Sequence, residues 1–232
     1  MTIETSLLYV PRADHNGSFD AHFARPQGDG PFPGLIVIHE IFGLNDNIRG
    51  IANRFAEQGY AALAVDLFSN RDRLVCMMQA FYGVLVRPLN NAMLSDLESS
   101  MRFLAELPGV DAGRIGAVGF CMGGGYALQL AVTQKGLKAA SVFYGSAPRP
   151  LEVIARSCPV IGSYPEKDFS ADSARELEKA LTRYAIPHDI KYYEKTQHSF
   201  FSRQRTEFEV EASRDSWERM LAFFDEHIVK EK

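Results

Sequence analysis

The feature that most constrains the fold is the alternation of short apolar runs with longer segments whose apolar residues recur at helical spacing. The run GLIVIHE at 34–40 is largely apolar, which is typical of a strand buried on both faces of a sheet. Five further strand candidates follow it: YAALAVD at 60–66, RIGAVGF at 114–120, LKAASVFYG at 137–145, PVIGSYP at 159–165 and HDIKYYE at 188–194. Helical patterns lie between the strand candidates: from Asn47 to the stop signal at Gly59, twice within 74–106 with a break near Arg87 and Pro88, from Met122 to about Gln134, and at 172–185. A last helical pattern, from Thr206 to Ile228, follows the final strand. The alternation predicts an α/β fold, a mostly parallel sheet with helices on both faces.

The N-terminal segment predicts a different local arrangement. Two alternating stretches, IETSLLYV at 3–10 and SFDAHFAR at 18–25, flank the turn-rich RADHNG, which indicates an antiparallel hairpin. No linker, repeat or low-complexity tract interrupts the sequence, so we expect a single domain over residues 1–232.

Charge and cysteine content exclude several classes of function. The 25 basic and 29 acidic residues give a net charge of -4 without a run of five like charges, so no nucleic-acid partner is expected. No export signal and no apolar segment of about 18 residues is present, so we expect a cytoplasmic protein without a membrane partner. Cys76, Cys121 and Cys158 are widely spaced and form no CxxC pair, which argues against a disulfide framework and against a zinc site.

Cys121 lies in GFCMG at 119–123, which is the G-x-S-x-G nucleophile-elbow pattern with cysteine in place of serine. In such a sharp strand-to-helix turn, side chains two positions before and after the nucleophile would collide with backbone, which predicts Gly119 and Gly123. Because a helix begins directly after Cys121, its unpaired amides favour an anion there, and the Met122 N–H can donate to an oxyanion. A buried cysteine in a glycine-rich helix start is the alternative interpretation of this motif.

Two ionisable residues follow later strands. Asp168 follows PVIGSYP, and His198 follows HDIKYYE, in the chain order nucleophile, acid, histidine of hydrolases built on such sheets. Because the carboxyl ends of parallel strands meet at one edge, we expect both side chains to lie near Cys121. As alternatives, Asp168 caps the helix that starts near Ala171, and His198 is an ordinary surface residue.

His39 and Glu40 come at the end of the run GLIVIHE. Ionisable groups are costly at the end of a buried strand unless they serve the crevice, which makes Glu40 a candidate site residue. The alternative is that Glu40 caps or ion-pairs with the next loop. Such folds place the second oxyanion amide in this loop, here the Ile41 N–H.

The combination of GFCMGG, HEIFGLN, the Asp168 loop and HSF at 198–200 resembles the dienelactone hydrolase family of α/β-hydrolases. The resemblance implies a triad of Cys121, His198 and Asp168, with Glu40 as the carboxylate that meets the thiol and helps to activate it when substrate binds. It implies that the thiolate attacks a small ester or lactone and that water hydrolyses the acyl-enzyme. The Ile41 and Met122 amides would form the oxyanion hole. No metal or organic cofactor is expected, and the protein is expected to be a monomer or a small homo-oligomer.

The sequence departs from this family in two places. Members that act on dienelactone hold its carboxylate with two arginines, but 74–86 contains none, and the nearest arginines after His198 are Arg203 and Arg205. We therefore expect a more apolar pocket. The predicted lining residues are Phe42, Met77, Met78, Phe81, Tyr82 and Arg203. Core packing of an amphipathic helix is the alternative for the four between 77 and 82. Pro165 stands where relatives commonly have glycine, which restricts the turn that presents Asp168.

Two other functions fit parts of this pattern. One is a broad-specificity carboxylesterase or thioesterase with the same triad, and the other is a non-catalytic, redox-sensitive binding protein on the same scaffold. The complete set of Cys121, Asp168, His198 and Glu40 favours an enzyme, because a binding protein needs no ordered triad.

Overall fold

The computed structural model describes residues 1–69 and 71–230, apart from the side chain of Leu85. The strands are β1 (Ile3–Pro11), β2 (Ser18–Pro26), β3 (Phe32–Ile38), β4 (Ala61–Val65), β5 (Val110–Phe120), β6 (Leu137–Phe143), β7 (Val160–Pro165) and β8 (His188–Tyr193). The helices are α1 (Asp46–Glu57), α2 (Arg73–Leu85), α3 (Ala92–Glu106), α4 (Met122–Thr133), α5 (Ala171–Arg183) and α6 (Glu207–Phe224). A short 3-10 helix at Leu151–Arg156, which the sequence patterns did not predict, precedes β7.

The strands form one sheet in the order β1-β2-β4-β3-β5-β6-β7-β8. β1 pairs with β2, and β2 with β4, in antiparallel fashion, and all other neighbours are parallel. This confirms the mostly parallel sheet and the N-terminal antiparallel hairpin. The register places Ile38 of β3 beside Gly119 of β5, and Phe120 of β5 beside Phe143 of β6. The loops that follow these strands therefore leave the sheet at one edge.

Both faces of the sheet are covered. Successive residues of β3 point to opposite faces, and Leu35 and Val37 belong to one buried cluster while Ile36 and Ile38 belong to a second. Helices α1 and α6 contribute to the first cluster, and α2 and α3 contribute to the second. This arrangement confirms that helices lie on both sides of the sheet.

Local sequence signals explain where the first helices start. The side chains of Asn45, Asp72 and Asn91 each accept a hydrogen bond from the backbone N–H three residues on, at the first turns of α1, α2 and α3. Gly59, with a φ of 96°, follows the end of α1 in the left-handed conformation that glycine tolerates, as predicted. Within the part of the chain that the structure describes, no helix is both long and apolar enough for a membrane span.

Several predicted boundaries were wrong, and three of them bear on the site or the core. β3 ends at Ile38 and β6 at Phe143, so both strands stop short of the last residues of their apolar runs. The last helix was expected to run to Ile228, but α6 ends at Phe224 and a π-helical turn at Asp225–Val229 follows. Ile228 is fully buried there, and its side chain occupies the space beside Gly116 that a Cβ would need. The wider turn therefore lets Ile228 fill the core over β5.

Candidate active site

The turn between β5 and α4 presents Cys121. This residue has a φ of 55° and a ψ of -117°, and its N–H donates to the Phe143 carbonyl of β6 at 3.0 Å. A Cβ at Gly123 would lie 2.6 Å from the carbonyl oxygen of His39, and a Cβ at Gly119 would overlap the carbonyl of Gly123. The predicted steric reason for both glycines is confirmed. Only a chain without side chains at these positions can bring the turn this close to the end of β3.

The loops after β7 and β8 bring Asp168 and His198 together. His198 Nδ1 lies 2.9 Å from Asp168 Oδ2, which also accepts hydrogen bonds from the N–H and the hydroxyl of Ser170. Burial raises the pKa of Asp168, but the hydrogen bonds from His198 and Ser170 outweigh this effect and hold it below its ordinary value. Pro165 is the last residue of β7, and the turn that follows it still presents Asp168 to the imidazole. Since Oδ2 accepts from Nδ1, the other ring nitrogen, Nε2, is the one that can exchange a proton with a reacting group.

Two aromatic rings and a sulfur surround His198. The ring centroid lies 4.8 Å from that of Tyr144 and 4.5 Å from that of Phe169, which is nearly parallel to it. Nε2 is buried and has no hydrogen-bond partner among the described residues. Burial lowers the pKa of His198. The hydrogen bond with Asp168 and the nearby Cys121 sulfur outweigh this effect and raise the pKa to about 9. An imidazolium next to a sulfur stabilises a thiolate and can protonate a leaving group.

His39 and Glu40 lie just beyond β3 and differ in their hydrogen bonds. Both ring nitrogens of His39 are bonded, whereas Oε1 of Glu40 is not bonded to any residue that the structure describes. His39 is fully buried, its Nδ1 donates to the Glu40 carbonyl, and its Nε2 accepts from the Leu67 N–H at 3.1 Å. Burial lowers the pKa of His39, so it stays neutral and links the ends of β3 and β4. Glu40 is 3% exposed, and its Oε1 has no hydrogen-bond partner in the described chain. The alternative that Glu40 caps a helix or forms an ion pair finds no support in the described contacts.

Tyr144 is a site residue that the sequence interpretation missed. It directly follows β6, has a φ of 42°, and is buried, with its hydroxyl 3.4 Å from Ser202 Oγ. Burial, and beyond it the nearby Glu40 carboxylate and Cys121 sulfur, hold the pKa of Tyr144 well above its usual value. Tyr144 therefore lies among Glu40, Cys121 and His198. The rule that site residues follow the carboxyl ends of strands could have found it.

The predicted lining residues lie on α2 and on the loops that follow β3 and β8. Phe42 is 44% exposed, the Arg203 guanidinium lies 4.7 Å from its ring centre, and Arg73 donates to its carbonyl at 2.7 Å. On α2, Met78 and Tyr82 are 58% and 49% exposed. Core packing, the alternative for the predicted lining residues of α2, therefore does not describe these two.

Other contacts place α2 next to α4, the helix that follows Cys121. The Tyr126 hydroxyl of α4 donates to the Ala80 carbonyl of α2 at 3.2 Å. Phe81 is exposed, whereas Met77 is half-buried and packs against the core. The guanidinium of Arg205 bonds to the His198 carbonyl and to Glu209. The exposed side chains of Met78, Phe81 and Tyr82 on α2 form a rim without charged groups.

The two candidate oxyanion donors are available. The N–H groups of Ile41 and Met122 donate no hydrogen bond to any residue within the described ranges. All three cysteines are free thiols. Among residues 1–69 and 71–230, no group of three or more His, Cys, Asp or Glu side chains is arranged to hold a metal ion.

Comparison with known proteins places this chain in a family. The sequence matches the model of the dienelactone hydrolase family over residues 19–228. It is 30% identical over 240 residues to the "Putative carboxymethylenebutenolidase" of Synechocystis sp., an alignment that covers 96% of each chain. The crystal structure of a "Putative Dienelactone Hydrolase" from Klebsiella pneumoniae subsp. pneumoniae matches with a TM-score of 0.82 at 30% identity, over 97% of this chain and 99% of that one. A dienelactone hydrolase-like promiscuous phosphotriesterase from metagenomic libraries matches with a TM-score of 0.83 at 25% identity, over 96% and 98% of the two chains. These matches confirm the expected α/β-hydrolase fold.

Proposed function

The chain belongs to the dienelactone hydrolase family, and on that basis we propose that it hydrolyses small carboxylic esters or lactones through a Cys121, His198, Asp168 triad and an acyl-enzyme. Family membership makes it a hydrolase of esters or lactones. The observation that carries the triad is the 2.9 Å contact between His198 Nδ1 and Asp168, which leaves Nε2 without a described partner on the side of the imidazole that has the Cys121 sulfur nearby.

The proposed reaction begins at the thiolate of Cys121. Its sulfur attacks the carbonyl carbon, and the oxygen takes the negative charge and accepts hydrogen bonds from the Ile41 and Met122 amides. Collapse of this intermediate breaks the carbon–oxygen bond, and His198 Nε2 gives its proton to the departing alkoxide. The products of this half-reaction are an alcohol and a thioester on Cys121.

The second half-reaction restores the enzyme. Neutral His198 takes a proton from water as the water oxygen attacks the thioester carbon, and the carbon–sulfur bond then breaks to release the acid. Asp168 keeps the proton on Nδ1 and stabilises the imidazolium in both halves. Glu40, which is buried near Tyr144 and has no hydrogen-bond partner at Oε1 among the described residues, would meet the thiol and help to take its proton when substrate binds.

The rim of the site favours neutral substrates. Residues 74–85 contain no charged side chain, and Met78 and Tyr82 of this segment are exposed. A substrate carboxylate would find no arginine on α2 beyond Arg73 at its first turn, and Arg203 lies over the ring of Phe42. We therefore propose neutral short-chain esters or lactones, bound by Phe42, Met78, Tyr82 and Arg203, as better substrates than an anionic lactone. We also propose a cytoplasmic location for a single-domain protein that is a monomer or a small homo-oligomer.

The test is removal of the nucleophile with a matched cysteine control. Cys121→Ala should lower kcat for 4-nitrophenyl acetate by at least about a thousandfold, because losing a triad member removes most of the catalysis. Cys158→Ala should keep the wild-type rate, since burial raises the pKa of Cys158 to about 12 and leaves that thiol protonated. Both variants should unfold at the wild-type temperature.

Mass spectrometry of the acid-quenched enzyme should show one acetyl group on the peptide that contains Cys121. Undiminished turnover by Cys121→Ala would refute the proposal. A wild-type protein whose Cys121 reacts with iodoacetamide but that turns over no ester would support the redox-sensitive binding protein instead.

A further inference from the structure

Phe169, in the turn between β7 and α5, is exposed in a way that core packing does not explain. Its side chain is 77% exposed, and it belongs to neither of the two buried clusters. Its ring stacks on the imidazole of His198, at a centroid distance of 4.5 Å and an interplanar angle of 27°. A single exposed apolar side chain is common on protein surfaces, so the observation that points to a role of Phe169 at His198 is the stacking of the two rings.

The turn that presents Asp168 also places Phe169. Asp168 Oδ2 accepts from the N–H and hydroxyl of Ser170, and the Asp168 carbonyl accepts from the Ala171 N–H at 3.0 Å. These bonds span Phe169 on both sides and fix the backbone that carries it. The turn at 168–171 therefore supplies both the carboxylate that binds Nδ1 of the imidazole and the aromatic ring that stacks on its face.

Stacking affects a charged imidazole differently from a neutral one. The face of an aromatic ring carries partial negative charge and attracts a cation. At an exposed site this attraction shifts an equilibrium constant toward the charged form by about a factor of two to five. The groups that also act on His198 are Asp168 on its Nδ1, the Cys121 sulfur and the buried Tyr144, while Arg205 bonds only to its carbonyl. Phe169 adds to this set an uncharged group that favours the protonated ring and limits its rotation.

We propose that Phe169 is a positioning residue, whose stacked ring holds the His198 imidazole in line with Asp168 and stabilises its protonated form. This inference rests on the proposed function, in which His198 cycles between imidazolium and imidazole. Phe169 itself makes no bond with the reacting atoms.

The experiment compares Phe169→Leu and Phe169→Tyr with wild type. Leucine keeps an apolar side chain over the imidazole but removes the aromatic face, whereas tyrosine keeps the face. Titration of the His198 ring nitrogens by NMR, assigned with a His198→Gln variant, should show a pKa about 0.3 to 0.7 lower in Phe169→Leu and unchanged in Phe169→Tyr. For 4-nitrophenyl acetate, kcat should fall about twofold to fivefold in Phe169→Leu with KM unchanged, and Phe169→Tyr should keep the wild-type rate.

Three outcomes would overturn the inference. One is a Phe169→Leu variant with the titration and kcat of wild type. Another is a raised KM with unchanged titration, which would make Phe169 a substrate contact. The third is a lower unfolding temperature in both variants without a change in titration, which would make its role structural. The titration needs no turnover, so its result is separate from the Cys121→Ala test of the proposed function.

Discussion

Gly123→Ala tests whether the close approach of the nucleophile turn to β3 matters for catalysis. The added Cβ would lie 2.6 Å from the His39 carbonyl oxygen and 2.9 Å from the Ile38 carbonyl carbon. Real Cβ atoms essentially never come closer than 3.0 Å, and the Ile38 carbonyl oxygen would be nearer still than that of His39, so the two backbone segments must separate by more than the 0.4 Å between 2.6 and 3.0 Å. Neither contact atom is the flexible end of a side chain, and the strain therefore passes to the end of β3.

The expected cost has a thermodynamic and a kinetic part. Overpacking of this kind costs about 1 to 3 kcal/mol of unfolding free energy, less a small gain in helix propensity from alanine. The displaced segment leads into Glu40 and Ile41, and a shift of an oxyanion donor by a few tenths of an ångström to one ångström lowers kcat by about a hundredfold. We expect both effects in Gly123→Ala, measured by urea unfolding and by ester hydrolysis.

Gly50→Ala is the matched control. Gly50 lies inside α1, and nothing lies within 4 Å of a Cβ added there. The same substitution should raise the free energy of unfolding by about 0.5 to 1 kcal/mol and leave kcat unchanged. Wild-type stability and kcat in Gly123→Ala would refute the steric argument. Lost stability with full activity would show that the end of β3 does not position the reacting groups.

Two further predictions concern substrate choice and pH. Wild type should show a higher kcat/KM for neutral short-chain esters than for dienelactone. Met78→Arg should shift this preference toward dienelactone by about tenfold, as one charge-assisted contact allows. Leu7→Arg, on the edge strand β1, is the control and should leave the preference unchanged. An unchanged preference in Met78→Arg would show that α2 does not contact substrate. The contacts of His198 raise its pKa from 6.5 to about 9, so their stabilisation is complete below pH 6.5 and lost as the pH rises through 9, about 3 kcal/mol in all. The difference in urea stability between wild type and His198→Gln should therefore narrow from pH 6 to pH 9.5, and a constant difference would contradict this account.

The sequence predicted the strands, the helices and the edge of the sheet where candidate residues collect. These predictions depend on local signals: apolar runs, helical spacing, and glycines whose steric role at 119 and 123 follows from the turn itself. Cys121, Asp168 and His198 could be named because each lies in the turn or loop that follows a strand of the parallel sheet. Their chain order then matched that of known hydrolases.

The features that escaped prediction depend on contacts distant in sequence. Tyr144 was assigned to a strand, because nothing local shows that β6 stops at Phe143 and that Tyr144 takes a left-handed conformation. The composition of the Asp168 loop does not show that Phe169 faces water and stacks on a histidine from the next loop. The π-helical turn after the last helix places Ile228 beside Gly116, which belongs to a strand more than a hundred residues earlier.

The left-handed backbone at Cys121 limits which side chains could serve as the proposed nucleophile. A φ of 55° is tolerated by an unbranched side chain but strongly disfavoured for one with two heavy substituents on Cβ. Serine could replace the cysteine without rebuilding the turn, exchanging sulfur for oxygen at one atom. Threonine, which other hydrolases use as a nucleophile, would have to distort the turn first. Sequence change at this position can therefore move between a thiol and a primary alcohol, while a secondary alcohol lies behind a conformational barrier.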